Sequence, residues 1–140
     1  PNAVVDWIAF VATFLGFVLV AAAYVGGEGQ RFARHPMLAG IALWAGAHVL
    51  ANGELGHLLV FGALAAYAPA AMVLSDRRDA VRDPEAFARR RETTSLIPFT
   101  RLTDGAVPWK GPAAGVGGWL AFLFLHGWLF GASPWPPGLG

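Results

Sequence analysis

The chain has 140 residues, of which 56% are hydrophobic and only 14% charged, with a formal net charge of +1. A soluble domain carries roughly a quarter charged residues, so this composition points to a lipid-embedded protein. So small a net charge gives no footing for nucleic-acid binding. There is no cysteine, which excludes disulfides, thiolate metal sites, Cys nucleophiles and covalent c-type haem attachment.

In chain order, the first apolar run spans 5–25, opened by Asp6 and free of charge until Glu28. About twenty such residues cross the hydrocarbon core. The run lacks a basic leader and a cleavage-type ending, so it is not expected to be a signal peptide. Pro1 stands where a Met would be, so a processed or truncated chain is expected. A polar connector, 26–36, leads to a second span at 37–52, which is short. The turn Asn52-Gly53-Glu54 joins it to a third span at 55–74, where Pro69 is expected to kink the helix. Spans two and three therefore form an antiparallel hairpin.

After Leu74 most of the charge is concentrated, including Arg77-Arg78 and Arg89-Arg90-Arg91. Asp83-Pro84-Glu85 predicts a helix start, Asp as N-cap and Pro at the first helical position. The short helix it opens is expected at the membrane surface. An irregular loop from Thr93 to Pro112 follows, punctuated by Pro98, Gly105 and Pro108. The last span reads 113–131, within which Gly127 and Gly131 form a G-x-x-x-G pair suited to close packing. The expectation is one all-α membrane domain over 1–140, a polytopic transmembrane helical bundle of about four spans plus a short interfacial helix.

All ten Lys and Arg residues fall in the connectors 26–36 and 75–112. Four alternating crossings put those two connectors on one side, and the positive-inside rule makes it the cytoplasm. The arginine clusters serve that orientation and suit lipid phosphates.

Histidines are the residues with chemistry to offer. His48 lies ~16 Å up the second span, and His126 ~20 Å up the fourth in the same direction. Two imidazoles at similar depth could grip a metal or a haem iron between helices, or simply hydrogen-bond a neighbouring helix. Trp44 precedes His48 by one turn, and Trp119, Phe122 and Phe130 flank His126. These aromatics could clasp a cofactor or face lipid. His57 and His35 belong to the outer and cytoplasmic interfaces respectively. Glu54 and Asn52 could serve a site or only solvate a turn.

Three stretches, Arg34-His35-Pro36-Met37-Leu38-Ala39-Gly40, Leu43-Trp44-Ala45-Gly46-Ala47-His48 and Leu50-Ala51-Asn52-Gly53-Glu54-Leu55, resemble the central signature of the NnrU family. The resemblance continues in Thr94-Ser95-Leu96-Ile97-Pro98-Phe99 and Leu125-His126-Gly127-Trp128-Leu129-Phe130-Gly131. It implies a bacterial cytoplasmic-membrane protein associated with denitrification, and a chain that is the later part of a longer one. A related branch, the cis-ζ-carotene isomerase, uses non-covalent haem b, and its tryptophan-x-x-x-histidine ligand matches His48. That branch has cysteine where Ala45 stands, and its second axial histidine lies upstream of the part matched here. The resemblance thus implies haem b bound by His48, with His126 a candidate partner and Arg34, His35 and Trp44 near the cofactor. The protein would be an accessory or assembly factor in a membrane complex, or an isomerase-like enzyme. Arg34-His35-Pro36 followed by Gly40 also resembles membrane methyltransferases that use S-adenosylmethionine. In those an aromatic residue follows the motif, where Met37 and Leu38 stand here, and an acidic pair stands near Ser75-Asp76-Arg77-Arg78.

Overall fold

The computed structural model describes residues 2–102 and 107–139; Gly105, named above in the last loop, lies outside them. Five α-helices account for the described architecture, and no strand occurs among those residues: α1 (Ala3–Tyr24), α2 (Pro36–Ala51), α3 (Leu55–Arg82), α4 (Pro84–Thr93) and α5 (Lys110–Phe130). α1, α3 and α5 are long and apolar enough to cross a membrane, while α2 is apolar but shorter, at 16 residues. This is a helical membrane bundle.

The ends of the helices follow from local chemistry. The Asn2 side chain accepts from the Val4 N–H at 3.1 Å and starts α1. Pro36 begins α2 where a missing N–H costs nothing. Asp83 Oδ1 accepts from the Ala86 N–H at 2.9 Å, so the expected Asp83-Pro84 cap forms and opens α4.

Where the third span was expected to give way to a connector at Leu74, α3 runs on unbroken to Arg82. Loss of apolar character ends a span but not a helix. Ser75–Arg82 contains no Gly or Pro, and helicity stops only at Asp83, where the following proline disfavours α geometry. α3 is also continuous through Pro69. α5 starts at Lys110, three residues before the expected 113, because Pro112 fits within a first turn.

The packing order is α3–α2–α1–α5, with α4 folded against α3. Small residues set the close approaches. A Cβ at Gly16 would come within 2.9 Å of the Gly40 carbonyl oxygen, and one at Gly40 within 2.7 Å of the Gly16 oxygen. On the other flank, a Cβ at Gly115 would meet Val18 Cα at 2.5 Å, and one at Gly111 would meet Ala22 Cα at 2.7 Å. These pairings make both α2 and α5 antiparallel to α1. The glycine pair expected to mediate packing, Gly127 and Gly131, does not: Gly127 would meet only the Ala132 oxygen at 4.0 Å, and Gly131 meets nothing. Gly131 instead ends α5 in the left-handed conformation, φ 68°. The Gly111-x-x-x-Gly115 spacing, one helix end earlier, is the pair that is used.

The core is compact and lies towards the Arg34 end, where Leu19, Ala22, Phe32, Ala33 and Ala39 are buried and Leu43, Met72 and Phe99 pack around them. Large apolar side chains elsewhere point outward, including Leu59, Val60, Phe124 and Trp128. Such an inverted surface suits hydrocarbon rather than water.

Candidate functional site

Two clusters of polar side chains stand at opposite ends of α2. His48 occupies the last turn of α2, and its Nδ1 is 2.8 Å from the Trp44 carbonyl oxygen. A carbonyl can only accept, so Nδ1 carries the proton and donates. Nε2 then holds a lone pair, with no protein partner among the described residues. The ring is held by Phe61, stacked at 4.5 Å and 30°, and by Trp44 at 4.7 Å. Phe61 in turn stacks on His57 at 6.1 Å and 14°, and His57 Nδ1 lies 3.2 Å from Glu54 Oε2.

His126 shows the same arrangement on α5. Its Nδ1 is 2.9 Å from the Ala132 carbonyl oxygen, so it too donates from Nδ1 and leaves Nε2 without a partner among the described residues. The left-handed turn at Gly131 is what folds Ala132 back over the helix end to supply that acceptor. No group of three or more His, Asp or Glu side chains with metal-site spacing exists among the described residues. The intramembrane histidines therefore offer two free imidazole nitrogens rather than a multidentate cage.

The aromatics expected around His126 divide. Phe130 stays with it at 4.9 Å. Trp119 packs instead on Phe10 and Phe14 of α1, and its Nε1–H donates to Thr13 Oγ1 at 3.3 Å. Phe122 packs on Phe17. Both serve the α1–α5 contact.

Arg34 and His35 lie about 20 Å from His48 along α2, at thirteen residues' separation. There they form a buried ionic cluster. Arg34 is 7% exposed. Its Nε donates to Thr94 Oγ1 at 3.0 Å, Nη2 donates to the Thr94 carbonyl at 3.1 Å, and Nη1 donates to Asp76 Oδ2. His35 Nε2 donates to the other carboxylate oxygen of Asp76 at 2.8 Å. The Thr94 Oγ1–H itself donates to the Arg90 carbonyl at 2.6 Å. The segment after α4 is pinned alongside, with the Arg34 N–H bonded to the Ser95 carbonyl and the Phe99 N–H to the Phe32 carbonyl, both at 2.7 Å. Phe99 takes a left-handed φ of 65° to do so and packs edge-on against Phe32.

The structure thus brings His48 and Trp44 together, carries His126 on α5, which packs on α1, and places Arg34 and His35 in a separate cluster. Asp76 and Thr94 were missed as functional positions in the sequence. Their only signal was an acid set among arginines and a Thr-Ser step, neither of which names its partner.

The model of the NnrU protein family matches residues 1–134 of the chain. No curated protein and no solved structure matches.

Proposed function

The chain belongs to the NnrU family, and from that premise we propose that it holds haem b non-covalently in a bacterial cytoplasmic membrane, with His48, and His126 as its candidate partner, the residues that would hold the group. The observation that carries the reading is the shared state of the two imidazoles. Each donates Nδ1–H to a backbone carbonyl and so presents a bare Nε2, the arrangement in which histidine binds metal with its tautomer and orientation fixed. The residues fit the group: without cysteine, the ligands are neutral nitrogens, and two suffice for haem iron where a caged metal would need more. Trp44 and Phe61 hold the His48 ring in place. Bound haem would supply one-electron exchange. The protein's own part would be to fix ligand orientation and keep water away.

The role that suits such a site is an accessory or assembly factor beside a denitrifying or electron-transfer complex. The methyltransferase likeness rests on Arg34 and His35, and both are committed to Asp76 and Thr94. From there they anchor the far end of the helix that carries His48. The connectors 26–36 and 75–112 would face the cytoplasm, since all the basic residues lie there.

Absorption spectra of the purified protein, oxidised and dithionite-reduced, test the reading. Wild type should show a Soret band that His48→Ala abolishes or strongly shifts while helical circular dichroism is kept. His126→Ala should alter the same band. An unchanged band at full occupancy in His48→Ala refutes the assignment.

A further inference from the structure

Independently of any cofactor, the fork between α3 and α4 has the makings of a ligand site. It encloses a pocket of about 240 Å³ lined by Asp79, Arg82, Asp83, Ala86, Phe87 and Arg90. Around the Phe87 ring stand three guanidinium groups, those of Arg34, Arg90 and Arg91, at 5.6–5.8 Å from its centre. Three arginines of this region have carboxylates: Arg34 has Asp76, Arg90 has Asp79 and Arg89 has Glu85. Asp83 is engaged in capping α4. Arg82 and Arg91 meet no carboxylate among the described residues. The Arg90 Nε–H is buried with no acceptor, and an orphaned charged donor at a pocket wall is a standing demand for an anion.

The position of the fork selects the anion. Asp79 lies about 7 Å beyond Leu74 along α3, and the headgroup layer reaches roughly 5–7 Å beyond the hydrocarbon edge. The pocket therefore sits where lipid phosphates sit, beside a helix whose preceding turns are apolar and exposed. We propose that the α3–α4 fork binds the phosphate of an anionic phospholipid, with Arg82 and Arg91 supplying the uncompensated charge and Phe87 holding the arginines in register. Guanidinium groups match phosphate oxygens through paired N–H donors.

Native mass spectrometry of the protein released from nanodiscs tests this. The discs would contain phosphatidylcholine with a minor fraction of phosphatidylglycerol. Wild type should retain phosphatidylglycerol well above its bulk share. Arg82→Ala/Arg91→Ala should lower that enrichment about thirtyfold, from the usual contribution of each of the two cations near anionic headgroups. Both side chains leave the core untouched, so the double variant should keep its melting temperature, and Arg82→Lys/Arg91→Lys should restore much of the enrichment. Arg77→Ala, about 140° around α3 from Arg82, should leave it largely unchanged. Retention at the bulk lipid ratio, or equal loss in Arg77→Ala, would overturn the site. So would displacement of the lipid by millimolar inorganic phosphate, which would mark a free-anion site instead.

Discussion

Removing the Asp76 carboxylate should be among the most damaging single changes to this protein. Asp76→Ala leaves Arg34, only 7% exposed, as a buried cation whose remaining side-chain partner is Thr94. It also strands the His35 Nε2–H. Each hydrogen bond to a charged group contributes about 1.5–3 kcal/mol, so the two lost at Asp76 amount to roughly 3–6 kcal/mol. Breaking a buried ion pair on one side costs about 3–5 kcal/mol by direct measurement in other proteins. The Asp76 side chain is itself 13% exposed, and partial hydration should place the loss near the lower end, about 3 kcal/mol. Equilibrium unfolding in mixed detergent micelles, followed by tryptophan fluorescence and circular dichroism, reads that loss directly. Glu85→Ala serves as the control, because its 3.8 Å pair with Arg89 is exposed and such pairs contribute little. Arg34→Met/Asp76→Leu, which removes both charges, should recover a good part of the loss. If Asp76→Ala lies within about 1 kcal/mol of wild type, the cluster is not the junction described here.

Three further outcomes follow from packing and topology. Gly40→Ala and Gly115→Ala drive a Cβ into opposing backbone at 2.7 and 2.5 Å and should each destabilise by about 1–3 kcal/mol. Gly46→Ala, with nothing within 4 Å, should be neutral or stabilise by up to about 1 kcal/mol in the same unfolding assay. Phe99→Gly should be more stable than Phe99→Ala by about 1 kcal/mol, because both lose the Phe32 contact but only glycine adopts φ 65° without strain; equal stabilities would show that the left-handed turn relaxes. A sidedness reporter placed after Arg91 should report the opposite face of the membrane from one placed after Gly140, and a shared side would remove the four-crossing topology.

What the sequence alone determined is whatever depends on one segment at a time. Twenty uncharged apolar residues must be helical in a bilayer, because every backbone polar group has to be satisfied within the segment. The runs at 5–25, 55–74 and 113–131 therefore appear as α1, α3 and α5 within a few residues, apart from the aqueous extension of α3. The Asp83-Pro84 cap was legible for the same reason, since donor and acceptor are three residues apart. So were His48 with Trp44, one turn apart on a single helix. Tertiary structure decided everything that depends on how one helix is rotated against another. Gly16, Gly40, Gly111 and Gly115 carry the close contacts rather than Gly127 and Gly131, because only the former face a neighbouring backbone. Nothing in the local pattern distinguishes the two sets. Arg34 finds Asp76 and Thr94 at 42 and 60 residues' separation, and Phe61 reaches His48 across the hairpin. The free Nε2 of His126 depends on a carbonyl that returns only because Gly131 turns left-handed. Hydrophobicity is a property of a residue and can be read from the chain, whereas pairing is a property of a register and exists only once the helices have packed.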